Sequence, residues 1–140
     1  MKKLLFASLM LFFSAVSYAQ IEGKWKTIDD ETGKPKSIVE IFKKSDGKYY
    51  GKIVQLLAKP ENETCVKCTD DRKNKPLIGL EIIRGLKKDG SEFSGGHITD
   101  PKNGKTYKCT VKTEGTDKLD VRGYIGFSLI GRSQTWHKVK

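Results

Sequence analysis

The sequence predicts an all-β chain: a single antiparallel up-and-down β-barrel of about eight strands. Three observations predict it. Apolar and polar residues alternate with period two in one segment after another, and helical periodicity is scarce. Turn dipeptides recur along the chain: Asp46-Gly47, Asp89-Gly90, Asn103-Gly104 and Glu114-Gly115. Two tryptophan-centred motifs stand at the ends, Gly23-Lys24-Trp25 and Gly131-Arg132-Ser133-Gln134-Thr135-Trp136. First and last strands that become neighbours close the sheet and leave no exposed edge.

The elements follow in order. Ile21 to Ile28 is the first strand, and the Asp29–Pro35 stretch is a polar loop. Ser37 to Lys44 carries Ile38, Val39, Ile41 and Phe42, and a turn at Asp46-Gly47 joins it to a partner strand from Tyr49 to Leu57. Ala58 to Pro76 has two prolines, two cysteines and many charges without any period, so it reads as a long functional loop or lid. Leu77 to Leu86 reads as a strand, Lys87 to Gly90 as a turn, and Glu92 to Thr99 as a strand with a bend at Gly95-Gly96. Asp100 to Gly104 is a turn, with Pro101 fixing φ at its second position. Thr106 to Thr113 places Tyr107, Cys109 and Val111 on one face. Leu119 to Ile125 alternates again, and Ile130 to Val139 is the last strand.

The first nineteen residues read as an export leader. Lys2 and Lys3 precede an apolar run from Leu4 to Val16, and Ser17-Tyr18-Ala19 is a cleavage pattern, so cleavage is expected before Gln20. The run is shorter than the roughly 20 residues of a spanning helix. No cysteine follows the cleavage site to take a lipid. The expected product is one periplasmic or secreted domain, residues 20–140, with no transmembrane anchor. Its formal charge falls from +10 to +8 when Lys2 and Lys3 leave. No basic run of five or more occurs and no aromatic–basic interleaving appears, which argues against nucleic acid. The excess lysine reads as solubility and edge protection, with weak affinity for anionic envelope surfaces.

Candidate chemistry is sparse. Cys65-Val66-Lys67-Cys68 admits three readings. An exported compartment favours a disulfide. A redox pair would be expected at a helix start in a βαβ context, which this sequence lacks. A metal site would have to recruit His97 and Cys109. Cys109, on the apolar face of a strand, reads as a buried small hydrophobe. Neither His97 nor His137 has a partner in any catalytic motif, and no nucleophile elbow, phosphate loop, zinc helix or nucleotide fingerprint occurs. Asp29-Asp30-Glu31 lacks the spacing of a calcium loop. No catalytic residue, metal or cofactor is expected. Trp25 and Arg132 form the sharper pair: a guanidinium on an indole face contributes roughly 0.5–2 kcal/mol and would seal one end of the barrel.

Nearly the whole mature chain resembles the exported bacterial family known as domain of unknown function 2147, and Gly23-Lys24-Trp25 with Arg132 resembles the lipocalin and calycin signature. The segments that carry the resemblance include Tyr50-Gly51-Lys52-Ile53, Cys65-Val66-Lys67-Cys68, Gly96 to Tyr107, Leu119 to Tyr124 and Gly131 to Trp136. The resemblance implies a lipocalin-like barrel exported to the envelope and, by analogy of fold, a small apolar or amphipathic ligand held without catalysis. Gly23, Trp25, Arg132 and Trp136 are then scaffold. The ligand should sit at the opposite mouth, bordered by the loop with Cys65, Cys68 and Leu77. Two other readings stay open: a filled barrel acting as an envelope interaction module, and a redox protein using Cys65 and Cys68. Eight strands are just wide enough for either an open or a filled interior.

Overall fold

A computed structural model of the chain describes residues 20–126 and 130–140. The leader assigned to residues 1–19 lies outside them. The strands are β1 Gly23–Ile28, β2 Pro35–Lys43, β3 Tyr49–Leu56, β4 Glu81–Asp89, β5 Glu92–Asp100, β6 Lys105–Glu114, β7 Lys118–Tyr124 and β8 Gly131–Lys138. Each pairs antiparallel with the next and β8 returns to β1, so the order around the closed barrel is the order in sequence. Alternation is the cause: every second side chain is apolar, and closure gathers those faces inside. The seam is short. Trp25 faces Lys138, Lys26 faces His137, and the Val139 N–H donates to the Lys24 carbonyl at 3.0 Å.

An up-and-down barrel has two different ends. The β1–β2, β3–β4, β5–β6 and β7–β8 connections gather at one, which we call the mouth. At the other the interior is solid. Trp25, Ile41, Leu86, Phe93, Val111 and Leu119 are each at most 2% exposed there. The Trp25 indole N–H donates to the Ile21 carbonyl at 2.8 Å, which pins the segment before β1 into the core. Buried Ile21 completes the plug.

Glycine shapes the wall between β4 and β5. Gly85 and Gly95 have φ of 80° and 77°, a left-handed region that costs glycine little. A Cβ on Gly96 would stand 2.6 Å from the Arg84 carbonyl oxygen and 2.7 Å from the Leu86 nitrogen. The bend expected at Gly95-Gly96 is present as a shift of register between Phe93 and Gly96.

Both bounds of β4 differ from the sequence reading. Leu77 to Leu80 is a tight turn, and β4 begins only at Glu81. Leu77 and Leu80 are both buried, and the Leu80 N–H donates to the Leu77 carbonyl at 3.1 Å. Two apolar residues three apart meet in a turn, whereas a strand would send them to opposite faces. At its other end β4 runs through Lys87 and Lys88, since the hairpin needs only Gly90, at φ 61°, to reverse.

Candidate functional site

The mouth half of the barrel is hollow. A cavity of about 690 Å³ opens there, within the range of small-molecule sites. Its floor and walls are apolar, formed by Ile53, Ile82, Ile98, Val121 and Trp136. Gly123 lets the wall pack closely, because a Cβ there would crowd Ile98 at 3.3 Å. Thr27 and Ser37 place two buried hydroxyls among these residues, bonded to each other at 2.7 Å. Charges stand at the rim: Asp29, Asp30, Glu31, Lys67, Lys102 and Arg132. The space is therefore amphipathic, largely apolar at depth and ionic at its opening.

The β1–β2 loop is clasped to both sides of the mouth. The Gln134 amide donates to Asp30 Oδ2 at 2.7 Å, and Arg132 Nε approaches the same oxygen at 3.1 Å. On the other side Lys102 Nζ reaches Glu31 at 3.4 Å. Gln134 is in turn held by the Trp136 indole N–H at 3.3 Å, so the clasp connects to the cavity floor. Asp29 accepts bonds from the Glu31 and Thr32 N–H groups, which hold its carboxyl below the usual range and shape the loop.

This arrangement corrects the expected Trp25–Arg132 stack. The two residues lie on adjacent strands, but at opposite ends of the barrel. The cation over the Trp25 ring is Lys138, 6.0 Å from its centroid, as the seam register requires. Arg132 is six residues earlier on β8, with a side chain 69% exposed and paired to Asp30. Adjacency of strands was right; register, which no motif encodes, decides which residues face each other. Gly23 opens β1 at φ 130°, and Trp136 is 1% exposed and belongs to the core as well as to the cavity floor.

The long loop packs beside the mouth. Cys65 and Cys68 form a disulfide. Both are buried, Cys65 within 3.8 Å of the Pro101 carbonyl oxygen. Gly104 fits against the loop so closely that a Cβ would stand 1.9 Å from the Lys67 carbonyl oxygen. The loop does border the cavity, but through Glu61 and Lys67. Cys65, Cys68 and Leu77 turn into the core instead, because sulfur and leucine gain from burial while the charged neighbours keep their water.

Arg72 ties this loop to the barrel. Its side chain is only 6% exposed. It donates to the Glu81 carbonyl at 2.9 Å and to Asp70 through Nε at 3.0 Å. The Arg72 side-chain bonds hold the Asp70 carboxyl far below the usual carboxylate range. Asp70 is itself 42% exposed, so solvent weakens the pair, and Asp70→Asn is expected to cost about 2 kcal/mol at neutral pH. A depressed carboxyl stabilises the fold above its unfolded pKa and loses that contribution as pH falls through the folded value. Melting curves of wild type and Asp70→Asn should accordingly differ at neutral pH and converge only in strong acid.

The remaining candidates do not assemble. Cys109 is fully buried and burial pushes its thiol up to about 12, which leaves no thiolate at neutral pH. His97 and His137 lie on β5 and β8. Among the described residues no group of three or more His, Cys, Asp or Glu is placed to hold a metal ion. Sequence reading missed Thr27 and Ser37, and set Asp30 aside with its acidic neighbours. Their signal was slight: polar residues at inward positions of β1 and β2, next to an acidic loop.

The profile of the family described as "Uncharacterized protein conserved in bacteria (DUF2147)" matches residues 23–138, and the chain belongs to that family. Among solved structures it is similar to protein HP1028 from the human pathogen Helicobacter pylori, described as belonging to the lipocalin family. The two share 21% identity over 87% of this chain and 84% of that one, with a TM-score of 0.76. The likeness shows the fold, and the barrel is lipocalin-like. No curated protein matches the chain.

Proposed function

We propose that this family member is an exported binding protein for a small amphipathic molecule, held in the mouth of the barrel without chemical conversion. The observation that carries the reading is the division of the interior. One half is filled by Trp25, Leu86, Phe93 and their neighbours, and the other is left as a cavity of about 690 Å³ with an apolar floor and a charged rim. A barrel that served only as a rigid module gains nothing from holding apolar side chains in a pocket open to solvent, where they lack apolar contacts. A bound molecule with an apolar body against Ile53, Ile98, Val121 and Trp136, and a polar end among the rim charges, would restore them. The redox reading is disfavoured by geometry: both sulfurs of the disulfide are buried, and thiol exchange needs access.

Export follows from the leader pattern of residues 1–19 and is part of the proposal. The test is a titration with N-phenyl-1-naphthylamine, a neutral apolar fluorophore. Saturable enhancement with one probe per chain is expected, together with a change in Trp136 emission that Trp136→Phe removes. Trp25, at the filled end, serves as the internal reference. Absence of saturable binding would sink the ligand reading.

A further inference from the structure

Ile125, Ile130, Leu57, Val66 and Ile78 are the large apolar residues that stand exposed among those described, at 63%, 66%, 39%, 41% and 52%. Single exposed hydrophobes are ordinary. Their distribution is not: all five lie on the β3–β4 and β7–β8 connections, which belong to the mouth end, and none lies on the connections at the filled end. In an eight-strand barrel whose spatial order is its sequence order, these two connections face each other across the opening. Ile125 and Ile130 are also the lip of the cavity. The Ile125 N–H donates to the Ile130 carbonyl at 3.0 Å, which sets the two side by side.

We infer that the mouth end docks on an anionic lipid bilayer, with Ile125 and Ile130 entering the headgroup–acyl boundary on one side and Leu57 and Val66 touching it on the other. Two arguments choose this occupant. The apolar side chains are split across an open hole. A flat, deformable surface can cover both groups at once, whereas a protein segment would have to span the opening. Charge supplies the second argument. The chain carries a formal +10, or +8 without Lys2 and Lys3, so a second copy is repelled while an anionic surface is attracted. At the mouth itself the carboxylates of Asp30, Glu31, Asp70 and Asp71 are paired with Arg132, Lys102, Arg72 and Arg84. Lys34, Lys59, Lys67, Lys73, Lys75 and Lys105 stand exposed beside them and outnumber the remaining carboxylates of the mouth connections, Asp29, Glu61, Glu63 and Asp100. The docking stands independently of whether the cavity holds a ligand.

The test compares wild type with an Ile125→Asp/Ile130→Asp double variant in sedimentation with phosphatidylglycerol vesicles and with phosphatidylcholine vesicles. Both side chains are exposed, so the variant should melt as wild type does. The wild type should partition onto phosphatidylglycerol vesicles, and the double variant should bind them about tenfold or more weakly. A second measurement reports insertion directly. Cys65 and Cys68 are bonded and Cys109 is buried, so an environment-sensitive thiol label on an Ile130→Cys variant reads that position alone. Its emission should shift to the blue on phosphatidylglycerol vesicles. Three results would overturn the inference: no vesicle binding, equal binding by the double variant (charge alone, through another face), or self-association abolished by the double variant without vesicle binding.

Discussion

Trp25→Ala should lower the stability of this protein by about 3–5 kcal/mol, and the melting temperature by about 10–15 °C for a domain of this size. The side chain is 2% exposed, and its indole N–H is bonded to the Ile21 carbonyl at 2.8 Å. Truncation would open a void in the filled end and strip that carbonyl, itself in a buried residue, of its donor. Nothing nearby can collapse to fill the space without disturbing the β1–β8 seam. Arg132→Ala provides the contrast. Its guanidinium is an exposed partner of Asp30 at the opposite end, and an exposed pair contributes about 0–1 kcal/mol. Calorimetry of the two variants should therefore separate widely. Equal losses would mean that the two residues support one structure after all.

Gly96→Ala should cost about 3 kcal/mol or more, although it adds one methyl group. The new Cβ would stand within 2.7 Å of backbone atoms on β4, the Arg84 oxygen and the Leu86 nitrogen. Backbone cannot rotate away as a side chain does. The β4–β5 ladder must spread, and its neighbours Phe93 and Leu86, both fully buried, move with it. Gly33→Ala is the matched control, since a Cβ there meets nothing within 4 Å and its strain is confined to a surface turn. Denaturant unfolding should show a loss several times larger for Gly96→Ala, and similar losses would contradict the close approach of β4 and β5.

The barrel was legible because its physical cause is local. Alternation in Thr106 to Thr113 and in Leu119 to Ile125 needs only neighbouring residues to be seen, and the turn dipeptides mark where each strand stops. The bend at Gly95-Gly96 was legible for the same reason. Register was not. Trp25 meets Lys138 because of where the β8 ladder starts on β1, a property of the closed sheet that no single segment carries. The cavity was less legible still. Ile53, Ile98 and Val121 look like any other apolar strand residues in the sequence, but they border an open pocket, with the inward hydroxyls of Thr27 and Ser37 standing where larger apolar side chains would fill the mouth half. Small and polar residues at inward positions are the trace of such a space, visible once the inward faces are known. The cysteine loop misled in detail. Cys65, Cys68 and Leu77 turn away from the cavity, while Lys67, between the cysteines, lines it.

The half-filled interior is the central claim, and filling the other half is its most direct test. Ile98→Trp would place an indole in the cavity from the β5 wall beside Gly123, leaving the plug around Trp25 untouched. Titrated with N-phenyl-1-naphthylamine, wild type should bind one molecule saturably. Ile98→Trp should lose that binding while melting within a few degrees of wild type. Undiminished binding by the filled variant would contradict the account, because the probe would then be held somewhere other than the mouth of the barrel.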